Sequence, residues 1–333
     1  MNNSYKRMSA IIKSRVIGID VGVAVTTIAV VDLRGTILAK DSMPTTGFPM
    51  VNNFVEALSE RIILLAEANG GYENIRSVGI SAPSANYISG CIENASNMPW
   101  KGIVPLAAML RDRIGLAVAL GNDAHASAMG EFVYGSAHGM ENFIVISLGH
   151  GGLGSCFFSN GQPHLGYCGS AGEVGHTCVE DHGRLCTCGH RGCLEEYASC
   201  RGIIQTAREL LEASDEPSLL RDLKELTPMT IGECCDQGDA MAKEVYRRTG
   251  FLLGLGLSNY VTVINPEAII LTGELTKASK WLLKPLEESF DEHVFGNIRG
   301  KVKLVVSVLN DDERDVLGAS ALAWTVKEYS LFK

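Results

Sequence analysis

Three short stretches carry residue types that could do chemistry together: Asn122-Asp123, Ala171-Gly-Glu-Val-Gly-His176, and Cys186-Thr-Cys-Gly-His-Arg-Gly-Cys193-Leu-Glu195. Cys186, Cys188 and Cys193 are interrupted by Gly189 and Gly192, which let the chain curl tightly around an ion. His176, upstream, can complete a tetrahedral Cys₃His set, the usual closed structural zinc site, with His182 and His190 as rival fourth ligands. Four protein ligands leave no open position for water, so such a metal braces rather than reacts. Glu173, His176 and Glu195 flank this loop, and charged side chains held beside a rigid metal loop suit the hydroxyls of a sugar. Asp123 follows an apolar strand ending at Leu120 and precedes a predicted helix, Ala124 to Phe132. Capping that helix is its ordinary use. A carboxylate at a strand's C-terminal end in an α/β protein can instead accept a hydroxyl proton as that oxygen attacks phosphorus. The Asn122 amide offers the same substrate a donor and an acceptor. Together these residues predict a zinc-braced site that binds a polyhydroxylated substrate and removes a proton from it.

The elements that must position them alternate. Val- and Ile-rich strands are expected at Arg15 to Ile19, Thr26 to Val31 and Thr36 to Lys40. A helix is expected from Met50 to about Asn69, with Phe54, Leu58, Ile62 and Leu65 at helical spacing. A strand at Ile75 to Ile80, a helix at Ile103 to Ile114 and a strand at Leu116 to Leu120 follow. This order argues for an α/β sheet with ligands at the strand ends. The pattern then restarts. Phe143 to Ser147, the glycine turn Gly149-His-Gly-Gly-Leu-Gly154 and a returning strand to Phe158 echo residues 15–31 with their own Asp20-Val-Gly22 turn. Two copies of one topology imply a duplicated domain whose glycine turns face each other across a cleft. Later elements are a helix at about Ala240 to Tyr260, strands Ala268 to Leu271 and Val302 to Val308, and a helix from about Arg314 to Tyr329. The expected domains are residues 1–125 and 126–313, with the last helix, about 314–333, packing back on the first.

At 333 residues the chain exceeds the usual size of one compact core, and 46% hydrophobic with 20% charged residues is ordinary globular composition. A formal charge of −9 argues against broad electrostatic binding to nucleic acid or an anionic membrane. Lys6, Arg7, Lys13 and Arg15 near the start are not joined to a long apolar run, so neither a signal peptide nor a membrane span is expected, and the expected setting is the cytoplasm. The ten cysteines are then metal ligands where clustered and small buried hydrophobes where scattered.

With these residues in place, the chain resembles the ROK family (repressor, open reading frame, kinase) from Val16 to the last helix. Gly121-Asn-Asp-Ala124, the Ala171–His176 stretch and the Cys186–Glu195 stretch look like its substrate and zinc signatures. Asn97-Met-Pro-Trp100 looks like the sugar-side segment of its glucokinase-like members. The resemblance implies a two-domain actin-like, hexokinase-like ATPase fold (ribonuclease H-like) with duplicated domains, and a homodimer. It implies Asp123 as catalytic base, Asn97, Asn122, Asp123, Glu173, His176 and Glu195 as sugar ligands, and His176 shared between sugar and zinc. Mg-ATP would be cradled by the glycine turns, through Gly22, Gly149, Gly151 and Gly273, with Asp20 orienting the magnesium.

The nucleotide side departs from the family pattern. Val23 and Ala24 stand where family kinases carry Gly and Thr. Val restricts the turn, and Ala supplies no hydroxyl. His150 replaces a Thr in the second turn, whose glycine run leaves room for one extra residue, and Leu271-Thr-Gly-Glu274 replaces a Leu-Gly-Gly-Gly run. The leading expectation is an ATP-dependent kinase of a hexose or N-acetylhexosamine. The alternative is a sugar-binding regulator that has lost phosphoryl transfer. About fourteen residues precede the first strand, too few for the helix-turn-helix of family repressors.

Overall fold

The computed structural model describes residues 13–149 and 151–326. His150, Lys6, Arg7 and the expected run of the last helix beyond residue 326 lie outside the described residues. The chain divides into two compact units, one running to Gly130 and resuming at Asp312, the other Glu131–Asp311.

In the first unit, β1 (Arg15–Val21), β2 (Val25–Asp32), β3 (Ile37–Pro44) and β4 (Ile75–Ser81) join a later strand in one sheet. Three short strands, β5 (Ala85–Asn86), β6 (Cys91–Glu93) and β7 (Ile103–Val104), form a small separate sheet before β8 (Ala117–Gly121) returns to the main one. The main order is β3-β2-β1-β4-β8, with β1, β2 and β3 antiparallel and β4 and β8 parallel to β1. Helix α1 (Val51–Ala68) lays Phe54, Leu58 and Ile62 on this sheet, against Ile17, Ile19 and Ile28. Side chains alternate across a strand, so Gly18 faces the other way. There the chain's last helix, Asp311–Thr325, packs backbone to backbone: a Cβ on Gly18 would meet the Val316 carbonyl at 2.3 Å, and one on Gly79 the Ala319 carbonyl at 1.9 Å.

Helix α2 (Leu106–Ile114) starts later than expected. Pro105 disfavours helical backbone in the residue before it, so Ile103–Val104 stays extended and pairs with β6. Helix α3 (Asp123–Val133) begins directly after β8.

The second unit repeats the design. β9 (Phe143–Gly149), β10 (Gly152–Ser159), β11 (Gln162–Pro163), β12 (Ala268–Thr272) and β13 (Lys303–Val306) take the order β11-β10-β9-β12-β13. Again the first three are antiparallel and the last two parallel to the central strand. Two sheets of one order and one set of directions are the duplication the sequence echo implied. Helices α4 (Cys200–Ala213), α5 (Pro228–Asp236), α6 (Ala240–Ile264) and α7 (Ser279–His293) belong to this unit. Its core joins Ile144, Ile146 and Leu271 of the sheet to Leu253 and Leu257 of α6 and Leu282 and Leu286 of α7. Helix α6 runs past the expected Tyr260 to Ile264, where Asn265 takes a left-handed conformation and ends it. Among the described residues no helix is long and apolar enough to cross a membrane.

Candidate active site and metal centre

The turn from β8 to α3 sets out Asn122 and Asp123. The Asn122 Oδ1 accepts the His125 N–H at 2.7 Å, and the Asn122 carbonyl accepts the Ala126 N–H at 2.9 Å. Asn122, not Asp123, is therefore the helix cap. Its side-chain oxygen is engaged, so the amide turns donors rather than both functions outward. Asp123 is left free of capping duty in the first turn, with one oxygen accepting the Ala124 N–H at 2.8 Å. Its surface is open to solvent although protein crowds its other sides, and that crowding raises its pKa above the ordinary value. Asp20, at the end of β1, is pushed up to about 7, first by burial and then by the negative charges of Asp315 and Asp123, against the pull of Ser81 and Lys40. Three carboxylates of one unit thus sense one another. Asp315, on the last helix, was missed in the sequence because nothing there links it to a strand nearly the whole chain away. Buried His125, beside the cap, is held neutral, its pKa lowered to about 4 by desolvation.

Asn97 is exposed in the loop between β6 and β7. That loop is pinned by buried Trp100, whose Nε1 donates to the Phe48 carbonyl at 2.9 Å and whose ring lies 4.6 Å from that of Phe54. Lys101 Nζ ties it further, donating to the Ser96 and Met98 carbonyls at 2.9 and 3.1 Å.

In the second unit the liganding atoms of His176, Cys186, Cys188 and Cys193 all lie within 4.8 Å of one another. Cys188 and Cys193 sulfurs are 3.6 Å apart, and His176 Nδ1 is 3.6 Å from the Cys186 sulfur. Bonds of about 2.3 Å to sulfur and 2.0–2.1 Å to nitrogen give tetrahedron edges of about 3.5–3.8 Å, so the donors fit zinc. All ten cysteines are free thiols. Burial raises the Cys186 thiol pKa, and a bound cation is what lets such a crowd of thiols ionise. Of the rival ligands, His182 is exposed and faces Asp181 at 3.4 Å, while His190 Nδ1 lies 3.7 Å from Cys188 but outside the four-ligand group. The loop folds on Gly189 and Gly192, both with positive φ.

Because Nδ1 of His176 faces the thiols, Nε2 is left for another partner. Glu195 is buried next to this cluster: its Oε1 accepts from the Cys186 thiol at 3.1 Å and lies 3.4 Å from Arg201, which also grips Glu196 at 2.6 Å. Glu173 is exposed at the start of the short helical turn Val174–His176. The structure thus gathers His176, Glu195 and the three cysteines. Arg201 is an addition the sequence did not reveal.

The phosphate-turn candidates lie at strand ends. In the β1–β2 turn the Gly22 and Ala24 carbonyls are held by Thr45, through its hydroxyl and its N–H at 2.8 and 2.9 Å, and Val23 is exposed. In the second turn Gly149 pairs with Gly152 across the β9–β10 connection. Gly273, φ +95°, abuts β9, where a Cβ would meet the Leu148 carbonyl at 2.6 Å.

Paired sheets of this order, with a Cys₃His loop and a carboxylate at the end of β8, define a protein of the actin-like ATPase fold class. The model of the ROK family matches residues 16–326, and the chain belongs to that family. It is 31% identical to a glucokinase of Halalkalibacterium halodurans over 94% of both chains. A solved ROK family glucokinase from Streptomyces griseus, in complex with glucose and AMPPNP, is similar with a TM-score of 0.75 and 29% identity, covering 94% of this chain and 100% of that one. A ROK family transcriptional regulator, a homologue of the E. coli MLC protein, is similar with a TM-score of 0.83 and 25% identity, covering 92% of this chain and 77% of that one.

Proposed function

We propose that this protein is an ATP-dependent kinase of a hexose or N-acetylhexosamine. The observation that carries the reading is Asp123: it stands at the end of β8 relieved of capping by Asn122, in a chain similar to glucokinases over almost its full length. Asp123 accepts the proton of the sugar hydroxyl as that oxygen attacks the terminal phosphorus of ATP, and its raised pKa brings it nearer the working range of a general base. The Asn122 amide and Asn97 donate to sugar oxygens. Glu173, Glu195 and the Nε2 of His176 bind further hydroxyls. The zinc held by His176, Cys186, Cys188 and Cys193 supplies rigidity to those last groups and takes no part in the chemistry. Glycines 22, 149, 151 and 273 leave backbone room for phosphate and nucleotide, and Asp20 orients the magnesium that offsets phosphate charge. A homodimer is part of the same reading.

The second reading, a sugar-binding regulator without phosphoryl transfer, is favoured by one set of observations. Val23 and Ala24 occupy the first turn, and Asp315 places a further negative charge beside Asp20. A coupled ADP-release assay with Mg-ATP and a panel of hexoses separates the two. Sugar-dependent ADP release supports the kinase, and heat of sugar binding without turnover on any hexose supports the regulator.

A further inference from the structure

Behind the metal loop, the second unit carries a cavity of about 420 Å³ that contains none of the proposed sugar or nucleotide ligands. One wall is the metal loop and its exit, with Glu180, Arg184 and Tyr197. The other is a face of α6 from Arg247 to Leu255. The volume falls within the usual range for small-molecule pockets, about 300–1,000 Å³.

The walls are built rather than incidental. The Arg184 guanidinium spends all five of its N–H groups: on Glu209 twice, on Thr206, and on the Glu196 and Gly202 carbonyls. Its guanidinium also lies 4.5 Å from the centre of the Tyr197 ring. The Tyr197 hydroxyl accepts the backbone N–H of Arg184 at 2.8 Å and donates to the Glu180 carboxylate. On α6, Arg247 and Arg248 share Glu244, through contacts of 2.6 and 2.8 Å. Arg184 and Glu209 cancel, the Arg247–Arg248–Glu244 group is left with one positive charge, and Glu180 supplies one negative charge. The lining is therefore near neutral. What remains unspent is hydrogen-bonding capacity of both kinds: guanidinium N–H groups on α6 and carboxylate oxygen on Glu180.

Two features call for an occupant. Phe251, Leu252 and Leu255 leave apolar surface on a helix otherwise packed into the core. Among the described residues the Thr249 hydroxyl, in the lining, is buried with no hydrogen-bond partner, a costly arrangement. A ligand with balanced donors and acceptors, no net charge and an apolar face meets all of these demands together. We infer that this cavity is a second binding site, separate from the proposed catalytic residues, for a small neutral polyhydroxylated molecule such as a mono- or disaccharide.

The test uses methyl-labelled full-length protein titrated with sucrose, leucine and inorganic phosphate, following the Leu252 and Leu255 methyl resonances. The inference predicts saturable shifts with sucrose that persist in Glu173→Gln, which impairs the proposed primary sugar site. Thr249→Val keeps the shape and removes the orphan hydroxyl. It should raise the melting temperature of the free protein while weakening sucrose about fivefold to tenfold, the factor set by one hydrogen bond. Shifts with leucine or phosphate but not sucrose would overturn the ligand class. Shifts that vary with protein concentration alone mean that a second copy covers the cavity, and unchanged spectra with every probe mean that it is no ligand site. Either result refutes the inference.

Discussion

Replacing Asp20 by Asn isolates the electrostatic cost of the candidate active site. In the fold, burial and the charges of Asp315 and Asp123 raise this carboxyl from 3.8 to about 7. Between those values the unfolded chain has released the proton and the folded one retains it, so folded stability falls as pH rises through the window and levels off above about 7. At about 1.4 kcal/mol per pH unit, the ionised side chain costs up to about 4 kcal/mol at neutral pH and above. Asn keeps the shape and the Ser81 contact without the charge, but remains a half-buried polar group, so the expected gain is about 1–3 kcal/mol. Urea unfolding of wild type and Asp20→Asn without divalent cations, from pH 4 to 8.5, should give curves that meet near pH 4 and diverge as pH rises, with the variant more stable. Magnesium should stabilise wild type more than the variant. A difference independent of pH, or a variant less stable at pH 8, would refute the reasoning.

Metal analysis of protein purified without added zinc should find about one equivalent, and Cys193→Ser should lose it together with several kcal/mol of stability, as a structural four-ligand site requires. Finding no metal in the wild type would remove the brace from the account. Asp123→Asn should lower phosphorylation by about 10²- to 10⁴-fold while sugar affinity stays nearly unchanged, because the proton acceptor goes and the shape remains. Substantial turnover in that variant would point to another base. Val23→Gly with Ala24→Thr should tighten ATP binding by about 1 kcal/mol, the worth of one hydrogen bond, read by calorimetry. No gain there would mean that these substitutions are not the weak point of the nucleotide side.

Much of the fold was legible because both sheets are made of Val- and Ile-rich runs punctuated by glycine turns, and both copies keep the same order. Helices α4, α5 and α7 carry weak sequence signals for local reasons. Gly202 sits in the first turn of α4, where a Cβ would meet the Tyr197 backbone at 2.7 Å, so close packing overrides a poor helix former. Pro285 stands inside α7, and Gly232 with two cysteines lightens the apolar pattern of α5. The candidate metal ligands, which the fold brings within 4.8 Å of one another, could be read because three of them are nearly consecutive. Asp315, Arg201 and Arg184 could not, since each acts through a partner chosen by the fold and carries no motif of its own. The Asn122 cap was hidden by a neighbour equally suited to the role, and only backbone geometry distinguishes Asn122 from Asp123.

The central claim, that Asp123 serves phosphoryl transfer to a sugar, is tested most directly by ADP release from Mg-ATP, measured with and without each hexose and N-acetylhexosamine. The account predicts release that depends on at least one of these sugars and disappears in Asp123→Asn. Sugar binding seen by calorimetry, with ADP release at background for every sugar, would contradict it.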